Sequence, residues 1–247
     1  MRQPISAAII LTLWERSYGQ GPVRQALALL SLALPEFAPA RLVLVSIGAR
    51  DRELMNLRVE LFGDQVQSLV DCPACHDRVD LGFSISDLLA ATAVTATSNF
   101  DTLRLNHEGK GWQLRLLNTG DLLAVESVSD PAARRQTLVR RCLEPVERTD
   151  EIADQIVSET LVTEAALRLA DADPQADIRL ETECPACRHT WSAPFDIVRF
   201  LWAEIDAWAR GMMHEIHLLA SSYGWSELEI LNLSAWRRNV YLEMVRR

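Results

Sequence analysis

Lysine is almost absent from this 247-residue chain, and aromatic residues are scarce. Lys110 is the single lysine, so arginine carries nearly all of the positive charge. Arginine suits fixed, bidentate protein–protein contacts better than lysine does, although codon bias is the stronger explanation for its excess. The formal net charge is −9, and an acidic chain lacks the basic surface that binding to nucleic-acid phosphates requires. We therefore expect no nucleic-acid partner.

Apolar runs are too short to cross a membrane. The run from Ile5 to Trp14 ends at Glu15 and Arg16, well before it could span a bilayer. A signal peptide would also need a basic start and a small-residue cleavage site directly after the run, and only Arg2 precedes it. We expect a cytoplasmic protein with no membrane partner.

Cysteine is infrequent as well, but four of the five cysteines form two copies of one motif. These copies are Cys72-Pro73-Ala74-Cys75 and Cys184-Pro185-Ala186-Cys187. A Cys-x-x-Cys turn holds two thiolates on one side of a tight loop, which is half of a tetrahedral zinc shell. Two such turns facing each other complete a four-sulfur site with no open position. The sequence therefore predicts one structural Zn²⁺, bound by all four cysteines.

The similarity between the two copies extends beyond the cysteines. An offset of 112 residues aligns the motifs, and the same offset pairs Val79 with Trp191, Phe83 with Phe195, and Ile85 with Ile197. The pattern of each copy predicts a strand, a Cys-x-x-Cys turn or knuckle, a second strand and the start of a helix. We interpret the two stretches as an internal duplication.

Two other interpretations of the cysteines compete with zinc. Zinc ribbons commonly join their knuckles with about 15 to 20 residues, whereas 108 residues separate Cys75 from Cys184. Each motif could instead form its own disulfide, or a thioredoxin-like redox site. A redox motif needs a βαβ context and a helix that begins at the first cysteine, and neither flank has that pattern. Matched pairs in a reducing compartment favour zinc.

Helical periodicity dominates the rest of the chain. The sequence predicts an α+β fold that is predominantly helical, with a small split four-cysteine zinc ribbon and a β-hairpin. The predicted segments are an N-terminal helical part (1–65), two ribbon halves (66–88 and 176–194), an inserted hairpin with helices (89–175) and a C-terminal helical part (195–247). Within the insert, a helix is predicted from Asp150 to Ala170, and a hairpin is predicted around His107 to Gly111.

The C-terminal part has the most regular pattern. Apolar residues recur every three or four positions from Val198 to Leu219, which predicts one long helix with a single apolar face. Such a long face is more often domain core than a partner surface. Tyr223, Gly224 and Trp225 interrupt the helix, and a Ser226–Glu229 capping box predicts the start of the next one.

The remaining candidate sites are weak. Cys142 is a single cysteine on an arginine-rich helix and suits a buried small apolar position. His214 and His217 lack the four-residue spacing of a zinc-protease helix. There is no Gly-rich phosphate loop, nucleophile elbow or paired-carboxylate motif. We expect neither enzymatic activity nor a small-molecule substrate.

A family resemblance becomes visible when these motifs are taken together. The motifs that carry it are Ile47-Gly48-Ala49-Arg50-Asp51, Leu57-Arg58, Leu61-Phe62-Gly63, both Cys-Pro-Ala-Cys sequences, His189 with Trp191, Pro194-Phe195-Asp196, Leu201-Trp202 with Glu204, Glu215 with His217 and Leu219-Ala220, Tyr223-Gly224-Trp225-Ser226-Glu227, Glu229-Ile230-Leu231, Arg237-Arg238 and Tyr241-Leu242. Over residues 43–88 and 184–245 the chain resembles the T4-type bacteriophage baseplate protein family and its relatives in phage-tail-like contractile injection systems.

This resemblance implies a baseplate component or a baseplate assembly factor, with other baseplate or tail proteins as partners. The protein would then be cytoplasmic and become incorporated in an assembled phage-tail-like particle. We expect Tyr223, Trp225, Trp236, Arg237 and Arg238 to contact a partner, because Tyr, Trp and Arg dominate interface hot spots. The alternative for these aromatic residues is that they close the core. The alternative for the whole chain is a zinc-ribbon nucleic-acid-binding or regulatory protein.

Overall fold

Helices joined to short antiparallel strand pairs form the part of the chain that the computed structural model describes, residues 5–93, 102–146 and 158–246. The helices are α1 (Ala7–Ser17), α2 (Pro22–Ala33), α3 (Pro39–Leu42), α4 (Ile47–Phe62), α5 (Ile85–Ala93), α6 (Thr119–Ala124), α7 (Pro131–Cys142), α8 (Glu159–Ala172), α9 (Ile197–Tyr223), α10 (Glu227–Leu231) and α11 (Ala235–Val245). The strands are β1 (Gln65–Asp71), β2 (Arg78–Ser84), β3 (Leu103–His107), β4 (Lys110–Leu114), β5 (Leu143–Pro145), β6 (Arg179–Glu183) and β7 (Thr190–Pro194). The predicted α+β, predominantly helical class is confirmed.

All of the described sheets are small and antiparallel. β1 pairs with β2, β6 pairs with β7, and β3, β4 and β5 form a three-stranded sheet in that order. The sequence predicted the β3–β4 hairpin but not β5, because β5 has only three residues and ends in proline. The first residues of the helix predicted from Asp150 lie outside the described residues, and α8 begins at Glu159.

Capping side chains set the helix boundaries. The Ser46 hydroxyl accepts a hydrogen bond from the Ala49 N–H at 3.4 Å, and α4 begins at Ile47, directly after this cap. Gly63 ends this helix with a φ of +87°, a conformation that glycine adopts without strain. The predicted capping box of α10 is also present, with the Ser226 N–H donating to the Glu229 carboxylate at 2.8 Å.

Two compact units make up the chain: a central unit of residues 29–198 and a terminal unit of residues 1–28 with 199–247. In the terminal unit, the apolar faces of α1, α9, α10 and α11 share one buried cluster, formed by Leu11, Ala209, Met212, Ile216, Leu219, Ile230 and Leu242. The predicted apolar face of the long helix is therefore core over this stretch.

Two buried clusters lie among the described residues of the central unit. The larger one packs β3, β4 and β5 against α7 and α8, with Leu114 and Ala165 fully buried. The smaller one lies where the two cysteine-bearing hairpins meet and contains Cys72, Val79 and Cys184. This second cluster positions the candidate site.

Candidate metal centre

Each Cys-Pro-Ala-Cys sequence forms the tight turn of a β-hairpin. In the first hairpin, the Cys72 carbonyl accepts a hydrogen bond from the His76 N–H at 2.9 Å, and the Cys72 N–H donates to the Asp77 carbonyl at 2.9 Å. His76 has a φ of +60°, which residues other than glycine seldom adopt. The turn reverses the chain within six residues, so both thiols of the motif lie at the tip of the hairpin.

The second hairpin repeats this geometry at the predicted offset of 112 residues. The Cys184 carbonyl accepts from the Arg188 N–H at 2.9 Å, and the Cys184 N–H donates to the His189 carbonyl at 2.9 Å. Arg188 also has a φ of +60°. A helix follows each hairpin, directly after β2 in the first copy and shortly after β7 in the second. The first residue of each helix, Ile85 or Ile197, is buried. The two segments therefore share one local structure.

The four cysteines come together although they belong to distant parts of the chain. All four Sγ atoms lie within 4.8 Å of one another. Cys72 Sγ is 3.7 Å from Cys187 Sγ, and Cys75 Sγ is 3.6 Å from Cys184 Sγ. A tetrahedral zinc ion with Zn–S bonds of about 2.3 Å has sulfur–sulfur edges of about 3.8 Å. The donor set and its spacing therefore fit a four-coordinate metal ion.

The alternative interpretations of the cysteines do not match this arrangement. All five cysteines are free thiols, and the sulfur contacts at 3.6 and 3.7 Å cross from one knuckle to the other. A separate disulfide within each motif is therefore not what the structure contains. Each motif also lies between two antiparallel strands, and no helix begins at its first cysteine, as a thioredoxin-like site would require.

Burial divides the four thiols into two pairs. Cys72 and Cys184, the first residues of the two motifs, are completely buried, whereas Cys75 and Cys187 are exposed. Val79 packs beneath the buried pair. In the described residues no hydrogen-bonded ladder joins the β1–β2 pair to the β6–β7 pair. Side chains, and above all the four thiols, therefore connect the two hairpins.

Backbone hydrogen bonds prepare one thiol for ionisation. Burial raises the pKa of the Cys72 thiol, but the N–H groups of Cys75 and Ala74 and the neighbouring thiols donate to its sulfur. These donors outweigh burial and lower the pKa of Cys72 to about 7. A thiolate is the form that binds a metal ion.

A second thiol shifts in the opposite direction. The N–H of Asp77 lowers the pKa of Cys75, but the Cys187 thiol, desolvation and the other thiols raise it to about 12. Because Cys75 is exposed, we attribute the rise mainly to the neighbouring sulfurs. Four thiols this close cannot all lose their protons unless a cation compensates the charge.

The five predicted partner-contact residues all lie in the terminal unit, but in different environments. Trp236 is 74% exposed, and Arg237 beside it is also exposed. Tyr223 stacks on Trp225 with ring centroids 4.7 Å apart, and Tyr241 packs edge-on against both rings. Tyr223 is 38% exposed, whereas Trp225 is half-buried and packs against the core cluster.

Arg238 differs from the other four. Its side chain is buried, and its Nε donates to the Glu215 carboxylate at 2.7 Å. This guanidinium therefore ties α11 to α9 within the terminal unit. Of the two adjacent arginines, Arg238 is thus engaged within the terminal unit, whereas the preceding residue, Arg237, lies on the exposed face of the helix.

Two buried polar contacts were not found from the sequence. The fully buried Asp121 carboxylate accepts from Arg115 at 2.6 and 2.8 Å and from Arg141 at 2.8 Å. Elsewhere, Asp173 accepts from the Gly48 N–H at 2.9 Å. Both contacts join residues that are too far apart for local periodicity to reveal. Gly48 indicates a position with little room for a side chain, but it does not indicate which residue approaches it.

Comparison of the chain with protein-family models, with curated proteins and with solved structures gives no significant match. In the ranges that the structure describes, none of the helices combines the length and apolarity needed to cross a membrane.

Proposed function

We propose that Cys72, Cys75, Cys184 and Cys187 together bind one zinc ion in a structural role. This proposal rests on one observation: four free thiols, from two hairpins that are far apart in the sequence, lie at the spacing of a tetrahedral sulfur site. Thiolate donors suit zinc or iron among the common metals, and four of them leave no position open for a substrate. Metal analysis with X-ray absorption at the zinc and iron edges distinguishes these two ions.

We propose further that the chain is a non-enzymatic structural component or assembly factor of the baseplate of a contractile phage tail or phage-tail-like injection system. The motif set described above supports this proposal. The exposed Trp236 and Arg237 also support it, since a large exposed aromatic side chain beside an arginine is typical of protein interfaces. The protein would act in the cytoplasm, by contacts with other baseplate or tail proteins.

Co-purification tests this proposal most simply. The chain is tagged in its native host, particles are induced, and proteins that travel with it are identified by mass spectrometry. We expect sheath, tube and baseplate proteins in the eluate. Their absence from the eluate, with the tagged chain folded and expressed, would contradict the baseplate role.

A paired substitution tests the docking region. Trp236→Ala with Arg237→Ala removes two exposed side chains, so circular dichroism should remain unchanged. We expect particles that are incomplete or fewer by electron microscopy. Exposed Arg246, changed to Ala in a separate variant, is the control for losing a positive charge from the opposite end of the same helix. Normal particles from the folded double variant would show that this surface does not dock.

A further inference from the structure

An open groove of about 600 Å³ lies between α7 and α8 in the central unit. Apolar side chains dominate its lining, among them Leu117, Leu138, Ala166, Leu169 and Ala170. The turn from Pro174 to Asp177 closes one end. A volume of this size accommodates several apolar side chains of a partner. Among its described lining residues are none of the four cysteines and none of the residues of the terminal unit.

Positive charge marks the α7 side of this groove. Arg134 and Arg135 both line it and are exposed. Arg134 donates to the Val128 carbonyl at 3.0 and 2.6 Å, which fixes its position but leaves its charge uncompensated by that partner. Arg135 makes no hydrogen bond or ion pair with any of the residues that the structure describes. These two guanidinium groups make the α7 side of the groove positive in a chain whose net charge is −9.

Negative charge on the opposite side is already engaged. Asp173 accepts a hydrogen bond from the Gly48 N–H at 2.9 Å, and Asp177 pairs with Arg179 at 3.1 Å. Neither carboxylate is therefore the partner of Arg135. The groove therefore offers an apolar channel with two guanidinium groups along its α7 edge, and its two carboxylates, Asp173 and Asp177, contact other residues.

We infer that this groove binds an amphipathic helix of a partner protein, with carboxylates along the edge that faces Arg134 and Arg135. Charge complementarity selects the acidic edge. The groove is lined by helices, a loop residue and a turn, so it has no sheet edge to which a partner strand could add. An amphipathic helix can instead place apolar residues that are three and four positions apart into such a groove. This inference rests on the proposal that the chain acts by protein contacts, but not on which assembly it joins.

A peptide titration tests the inference with the isolated full-length protein. The probe is a fluorescein-labelled helical peptide of about 16 residues, with leucines three and four positions apart and glutamates along one flank. A sister peptide has lysine at every glutamate position. We expect the acidic peptide to bind, as measured by fluorescence anisotropy, and the basic peptide to bind at least about tenfold more weakly.

Variants on and beside the groove locate the binding. Arg135→Glu should weaken the acidic peptide by roughly tenfold and strengthen the basic one, because it reverses the charge on the groove edge. Ala170→Phe fills an exposed part of the lining and should abolish binding of both peptides. The matched controls are Arg140→Glu and Ala132→Phe, two exposed positions on α7 outside the lining, and they should bind the acidic peptide normally.

Several results would overturn the inference. These are no binding of the acidic peptide below about 1 mM, equal affinity for both peptides, or equal loss in the groove variants and their controls. Self-association of the protein that Ala170→Phe abolishes would identify a second copy of this chain as the occupant, and would also contradict it. Because no particle protein takes part, a negative titration leaves the baseplate proposal intact, and a failed co-purification leaves the groove intact.

Discussion

Phe83 and Phe195 pack edge to face, with ring centroids 5.1 Å apart and ring planes at 85°. They occupy equivalent positions in the two cysteine-bearing segments. A contact between equivalent residues of two copies is what an approximate two-fold arrangement produces, because the axis passes between them. Exchanging the two copies also converts the sulfur contact between Cys72 and Cys187 into the one between Cys75 and Cys184. The two hairpins therefore form one approximately symmetric unit around the four thiols.

Removal of one thiol should destabilise the protein through loss of the metal. Cys75 is exposed, so Cys75→Ser costs little packing, and a loss of stability reports on coordination. Metal binding contributes on the order of 10 kcal/mol in isolated zinc fingers, and packing between the hairpins retains part of that here. We expect a lower thermal midpoint and less than one zinc per chain. The exposed Ala74→Ser in the same knuckle is the control, and an unchanged midpoint in Cys75→Ser would show that the site contributes nothing to the fold.

Gly48→Ala should destabilise the central unit. A Cβ at this position would overlap the Asp173 carboxylate, which accepts the Gly48 N–H and cannot move away without breaking that bond. We expect a loss of about 1–3 kcal/mol in the free energy of unfolding by urea titration.

Gly211 in α9 provides the control for this substitution. A Cβ there would meet no other atom within 4 Å, so Gly211→Ala should stabilise the protein by about 0.5–1 kcal/mol through helix propensity. Equal effects of the two substitutions would contradict the close approach of Gly48 to Asp173.

Asp51 should make stability depend on pH in a specific window. Burial raises the pKa of Asp51 from 3.8 to about 6, against the lowering effect of the Arg50 guanidinium at 2.7 Å. The folded chain thus holds this proton more tightly than the unfolded chain. Protonated Asp51 therefore contributes to the free energy of unfolding. This contribution, at most about 3 kcal/mol, is fully present below about pH 4 and is lost as the pH rises through 6.

Asp51→Asn removes the titrating group and tests that window. The free energy of unfolding of the unsubstituted protein, minus that of the variant, should fall by about 1–3 kcal/mol between pH 4 and pH 7. Asp80→Asn, at an exposed position on β2, is the control for the loss of a carboxylate. A difference for Asp51→Asn that stays constant between pH 4 and pH 7 would contradict the burial of an ionisable group at position 51.

Arg238 and Arg237 should respond differently to the same change. Arg238→Ala leaves the Glu215 carboxylate without the partner that holds it at 2.7 Å, and we expect a loss of about 1–3 kcal/mol because Glu215 is only partly buried. Arg237→Ala should stay within about 0.5 kcal/mol. Chemical denaturation measures the free energy of unfolding of both variants. Equal values for Arg238→Ala and Arg237→Ala would contradict the burial of Arg238 against Glu215.

Repeated and periodic features were predictable from the sequence. The two Cys-Pro-Ala-Cys sequences predicted both knuckles. The matching residues on either side of them predicted the strands and the helix that follows each copy. Periodicity predicted α9, and Ser226 with Glu229 predicted the start of α10. Within each element these signals are local, because a motif, a period or a cap depends on residues only a few positions apart.

Long-range polar contacts were not predictable in this way. Nothing near Asp121 indicates that Arg141 will reach its carboxylate, and nothing near Gly48 indicates Asp173. Arg238 follows Arg237 directly, and only the packing of α11 on α9 decides which guanidinium is buried. Such contacts depend on tertiary packing, to which a single sequence gives no local signal.

Zinc K-edge X-ray absorption on the purified full-length protein, combined with metal quantification, tests the central claim most directly. We expect one zinc per chain, surrounded by four sulfur atoms at about 2.3 Å. Cys187→Ser should remove one sulfur from the shell or lose the metal, whereas Cys142→Ala should leave the shell unchanged because Cys142 lies outside the cluster. A substoichiometric metal content, or a shell of nitrogen and oxygen donors, would contradict a zinc site built from the two hairpins.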